Sequence, residues 1–229
     1  MSRALVSLLT LAMFTPAAAA APVESGLAFG LSGAVSPAEP RIVAQARFRA
    51  PSSAWLGAEV RLGDARALYL DGWPVSEGRS LSGLVGGSAP LATSGGASID
   101  LQVHGGLRAL SAEVPSPEDA AGAVIPGQSW GWLVEVTPMG TLPLGARGAA
   151  QLGWTAIFSQ QRSPSVATET LGQLLLGGVT LAVTDDVQVH LRLETGGLYG
   201  FDGDGGKVLT RATVGVRLVP GQAASWLNH

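Results

Sequence analysis

The sequence predicts an all-β chain, an antiparallel up-and-down β-barrel of eight to ten strands with lipid outside and water inside. Three observations point there. Apolar and polar residues alternate with period two along most of the chain, and a helical period of 3.6 is hard to find beyond the first twenty residues. Several alternating segments exceed the ~5–6 residues usual in globular strands and match the ~9–11 that a tilted strand needs to cross a bilayer. Charged residues are only 14% and mean hydropathy is +0.31, against about 25% charged in soluble domains. The alternative is a two-sheet β-sandwich, a soluble secreted or periplasmic binding module whose apolar faces pack together.

The elements follow in order. "MSRALVSLLTLAMFTPAAAA" has Arg3, an apolar stretch and an alanine-rich exit at Ala18 and Ala20, the pattern of a signal peptide over residues 1–20. Residues 21–219 are assigned to the barrel and 220–229 to a C-terminal tail. Candidate strands are Gly26–Val35, Arg41–Ala50, Trp55–Leu62, Ala67–Asp71, Leu81–Val85, Ala97–Ala109, Gln128–Thr137, Ala146–Phe158, Thr168–Val183, Val187–Tyr199 and Lys207–Val219. An up-and-down bacterial barrel has an even number of strands, so either Ala67–Asp71 or Leu81–Val85 is expected in a loop. The clearest alternation is "VQVHLRLE", where Val187, Val189, Leu191 and Leu193 oppose Gln188, His190, Arg192 and Glu194. The stretch 168–183 is less regular. Leu174 and Leu176 fall on its polar face, which points to a dry contact inside, with the N-terminal segment as a candidate partner, or to the sandwich.

Connections also alternate. Thr184–Asp186 is tight and Thr137–Gly145 modest, whereas 110–126, 159–167 and 200–206 are longer and polar. Short turns on the periplasmic side and long loops outside are the habit of outer-membrane barrels. That parity puts Trp130, Trp132, Trp154, Phe158, Tyr199 and Phe201 on the lipid face near the outer ends of their strands, as an interfacial aromatic girdle. The 32 glycines include several inside strands, where they are expected to curve the sheet.

The charges sort by face. Arg47, Arg49, Arg61, Arg108, Arg147, Arg192, Arg211 and Arg217 share the inward parity with only Glu59, Asp100, Glu135 and Glu194, and with His104 and His190. Two outcomes follow. Arginines lining water favour anionic solutes; arginines pairing with carboxylates across a narrow interior plug it, because an unpaired buried charge is costly.

Other chemistry finds little footing. There is no cysteine, which removes disulfides, thiolate metal sites and cysteine nucleophiles. A net charge of −3 gives no sign of a nucleic-acid partner. A hydrolase built on His190, Arg192 and Glu194 would need an oriented nucleophile; no serine accompanies them in sequence, though Ser98 on another strand could approach. "FDGDGG" lacks the carboxylate that a calcium loop requires at its end. His104 and His190 give two metal ligands without a third. No enzyme, cofactor or metal is expected; the expected partners are membrane lipid and small solutes.

The stretch "LGGVTLAVTDDVQVHLRLETGGLYG", with the Gly/Asp loop and closing strand "ATVGVRL" after it, resembles the C-terminal end of the exported transporters of the meta-pathway of phenol degradation. The shared order is strand, Thr-Asp turn, strand with an alternating polar face, glycine-rich loop and closing strand, over about a quarter of this chain. The resemblance implies an outer-membrane barrel passing small solutes, aromatic ones among them. One departure stands out. Such barrels typically close on an aromatic, whereas here Val219-Pro220 is followed by "GQAASWLNH" with Trp226 beyond the strand.

Overall fold

The computed structural model describes residues 25–36, 40–50, 54–64, 69–70, 73–74, 77–115, 124–162, 167–200 and 206–227. The expected signal peptide (1–20) and Phe201 lie outside them. Ten strands close into one antiparallel barrel: β1 (Gly26–Val35), β2 (Arg41–Arg49), β3 (Trp55–Asp64), β6 (Glu77–Ser94), β7 (Ala97–Pro115), β8 (Val124–Pro143), β9 (Gly148–Arg162), β10 (Ala167–Ala182), β11 (Val187–Gly200) and β12 (Gly206–Leu218). A two-stranded ribbon, β4 (Tyr69–Leu70) with β5 (Trp73–Pro74), stands between β3 and β6. Each strand pairs with its chain neighbours and β1 closes on β12. One closed sheet replaces the sandwich alternative.

Register fixes the barrel's dimensions. Pairing followed from Leu218 runs through Phe29, Ala46, Ala58, Val85, Gly105, Val134, Phe158, Leu171 and Tyr199. It returns to β12 at Gly206, twelve residues from its start. Ten strands with that stagger tilt by about 40° and leave a backbone radius of roughly 10 Å, given ~4.8 Å between strands and ~3.3 Å per residue. Arginine-length side chains from different walls can meet across such a space.

The faces separate as the alternation predicts. Outward residues such as Leu31, Ile42, Leu56, Leu107, Leu152, Leu175, Leu193 and Val214 are exposed, whereas inward Glu59, Arg61, Glu135, Glu194 and Arg211 are buried. On β12 the outward row runs from Val208 to Leu218. At the tilt above this rises about 25 Å, the height of the apolar band on outer-membrane barrels.

β1 begins and β12 ends at the mouth carrying the turns at 95–96, 144–147 and 183–186. The β1–β2, β3–β6, β7–β8, β9–β10 and β11–β12 links join strand ends at the other mouth, and two of them, 65–76 and 116–123, are the longest between barrel strands.

Three strand readings change. Leu81–Val85 is the middle of the eighteen-residue β6, while Tyr69–Leu70 of the competing segment joins the ribbon. β6 hides its pattern because Gly83, Gly86 and Gly87 give little contrast between faces, and a register shift between Pro90 and Ala92 breaks the period. The modest connection at Thr137–Gly145 is largely strand. Pro138 keeps its register with Leu101 on β7, while the pairing with β9 is interrupted between Val136 and Met139, the kind of irregularity where a missing N–H is tolerated.

Leu174 and Leu176 do point inward and are buried. Among the described residues the dry contact is made inside the wall itself: Leu174 joins Leu84, Leu133, Ile157, Leu198 and Leu209, contributed by six strands; residues 1–24 lie outside the described residues. Inward glycines give room to large inward neighbours. A Cβ on Gly86 would meet the His104 ring, and one on Gly215 the His190 ring and Ser32. Close approach joins curvature as a reason for glycine here.

Candidate functional site in the barrel interior

A cavity of about 100 Å³ occupies the interior. Its lining includes ten of the fourteen charged or histidine residues expected inside: Arg47, Arg61, Arg192, Arg211, Arg217, Glu59, Glu135, Glu194, His104 and His190. Arg41 joins them; it shares the parity of Arg47 and Arg49 on β2 and was missed at the strand's first position. Six guanidiniums thus face three carboxylates. Gln45, Gln102, Gln151, Thr137, Thr155 and Thr180 complete a polar wall that counting charges alone does not reveal.

The carboxylates are bound to guanidiniums. Glu135 on β8 accepts two hydrogen bonds from Arg61 on β3, at 2.6 and 2.5 Å, across the chord spanned by β6 and β7. Arg61 Nε also donates to Glu59 at 2.6 Å. Glu194 on β11 accepts from Arg211 Nε and lies 3.9 Å from Arg41 and 3.7 Å from Arg192. The two-pronged Arg61–Glu135 contact uses the guanidinium fork. Elsewhere positive charge is in excess. Arg47 lies with its guanidinium 4.1 Å above the Trp55 ring, and Arg47, Arg192 and Arg217 are near enough to repel one another. Arg217 donates to Gln188 at 3.2 Å.

The other expected lining residues sit elsewhere. Arg49 lies at the short-turn mouth under the C-terminal segment. Arg108 is buried inside and donates to Ser82 at 3.3 Å. Asp100 is buried and accepts from Ser98 at 2.7 Å, which places Ser98 beside a carboxylate. Arg147 is a correction. β9 begins at Gly148, so Arg147 falls in the preceding turn, 58% exposed and ion-paired to Asp185 at 2.8 Å. It is outside the lumen. Among the described residues no cluster of three or more histidine or acidic side chains could hold a metal.

Of the aromatic residues, Trp130, Trp132, Trp154, Phe158 and Tyr199 all face outward and are exposed. Trp130 lies near the long-loop rim, in register with Arg162 at the end of β9, and Tyr199 near the end of β11. Trp154 is a correction: it pairs with Leu175 half-way up the wall, because β9 continues eight residues past it to Arg162.

No family model matches the chain, and no curated protein matches it. Solved structures with a similar fold include the COG4313 outer membrane channel from Pseudomonas putida F1, 11% identical with a TM-score of 0.47 over 87% of this chain and 97% of that one. The KdgM porin is 11% identical with a TM-score of 0.36, over 83% of this chain and 98% of that one. The beta domain of the Bordetella autotransporter BrkA is 15% identical with a TM-score of 0.38, over 85% and 98%.

Proposed function

We propose that this chain is exported by its signal peptide to the outer membrane, spans it as a ten-stranded barrel, and serves as a narrow passage preferring small anionic solutes. The observation that carries this reading is the cavity wall, where six arginines face three glutamates inside a barrel whose outer wall is aliphatic. Fixed positive charge in a narrow polar lumen raises the local concentration of anions and repels cations. The short-turn mouth, where β1 begins and β12 ends, faces the periplasm in this reading.

A plugged structural barrel is the second reading, and the Arg61–Glu135 bridge across the interior favours it. Planar-bilayer recording separates the two. Under a salt gradient the reversal potential should report anion preference, and Arg192→Gln with Arg217→Gln should move it toward zero. An unmoved reversal potential removes the lumen assignment. Absence of current from both the full chain and a chain ending at Val219 leaves a structural barrel.

A further inference from the structure

Beyond Leu218 the chain does not leave the barrel; it folds back under the short-turn mouth. The Val219 N–H donates to the Asp186 carbonyl at 2.7 Å and the Ala223 N–H to the Asp185 carbonyl at 2.8 Å. The Gly221 N–H donates to the Asp186 carboxylate at 2.6 Å. These bonds fasten the segment to the β10–β11 turn. Gly221 has φ of +66°, in the left-handed region that favours glycine, and the chain reverses there. A 3₁₀ turn, Ala224–Trp226, follows.

That turn presents apolar groups to the inside of the mouth. Ala223 and Trp226 are fully buried. Trp226 packs with Ala28 and Val219, and Ala223 and Leu227 pack with Ala149 and Ala182. The wall residues beneath are alanines, small enough to admit the segment. Two polar wall residues hold it as well. Arg49 donates to the Ser225 carbonyl at 2.6 Å, with its guanidinium 4.9 Å from the Trp226 ring, and Gln188 donates to the Ala223 carbonyl at 2.6 Å. The contacts reach β1, β2, β9, β10 and β11, about half the circumference.

We propose that Val219–Leu227 is a built-in plug: it closes the periplasmic mouth at rest, and solute crosses only when it is displaced about Pro220-Gly221. An indole and a leucine side chain have no reason to fill a mouth that must stay wet, whereas a docked wedge buries them and gives Arg49 a carbonyl and a ring. This rests on the passage reading, and the experiments keep the two apart.

A chain ending at Val219 should insert and give severalfold higher single-channel conductance than the full chain; equal conductance overturns the plug and leaves the passage standing. Should the truncated chain fail to fold, Ala182→Cys with Ala223→Cys locks the segment in a chain that otherwise has no cysteine. Current should rise on reduction and fall on oxidation, and current indifferent to redox state, with the disulfide verified, overturns the proposal. A readout independent of conduction is Gln188→Cys, since Gln188 has no exposed surface beneath the segment. Maleimide labelling from the periplasmic side should be at least tenfold slower in the full chain than in the truncated one, and equal rates overturn it.

Discussion

Leu175 tests which medium touches the aliphatic rows. It faces outward with 61% of its surface exposed, and pairs with Trp154 on β9 and Thr195 on β11, half-way between the mouths. Val183 is also outward and exposed, but lies in the turn after β10. Taking ~3.3 Å per residue and a tilt of about 40°, the two are separated by roughly 20 Å along the barrel axis. An arginine on the lipid face costs about 2–4 kcal/mol at the bilayer midplane and about 0–1 near the interface. Leu175→Arg should therefore lower the folding equilibrium constant by roughly 30- to 900-fold, and Val183→Arg by less than about tenfold. The assay is reversible denaturant unfolding in phospholipid vesicles, followed by tryptophan fluorescence, each variant against the parent chain. If Leu175 faced water instead, both changes would fall within about 0.5 kcal/mol of neutral. Equal costs at the two positions, or none at either, would refute lipid contact and with it the membrane reading.

Three further outcomes are expected. Glu135→Gln weakens both bonds from Arg61 while leaving Glu59 on the same guanidinium, and should cost about 1.5–3 kcal/mol, the range of charged hydrogen bonds; a double-mutant cycle with Arg61→Met that shows no coupling would sink the bridge. Gly86→Ala drives a methyl against the His104 ring and the Val103 carbonyl, at a cost of about 1–3 kcal/mol. His104→Ala in the same chain should recover part of that in thermal melts, and strict additivity would rule out the contact. Arg147→Ala removes an exposed pair with Asp185 and should cost less than about 1 kcal/mol without moving the reversal potential; a selectivity change equal to that of Arg192→Gln would put Arg147 back in the lumen.

Local sequence determined the strands and their faces, because side chains on a strand alternate strictly between two sides. "VQVHLRLE" assigns its own inside and outside whatever its neighbours are, and the structure places Leu191 and Leu193 out and Gln188 and Glu194 in. Leu174 was legible in the same way: its parity said inside, although an apolar residue there looked like an error. Strand ends were less legible. In β6, glycines and the shift between Pro90 and Ala92 erase the contrast on which alternation depends. Arg147 was assigned by parity across a boundary that had been placed two residues early.

What only the tertiary structure decided is everything set by closure. The stagger of twelve fixes the radius, and the radius decides whether Arg61 can reach Glu135 across two intervening strands. Nothing local to either residue encodes that distance. Closure also brings the start of β1 and the end of β12 to one mouth, so that "GQAASWL", which reads as a polar tail with one stray tryptophan, finds alanines from three strands waiting inside it. Alternation is a property of one strand, and sequence carries it. Which side chains face one another across the lumen depends on all ten strands at once, and no window of sequence contains them.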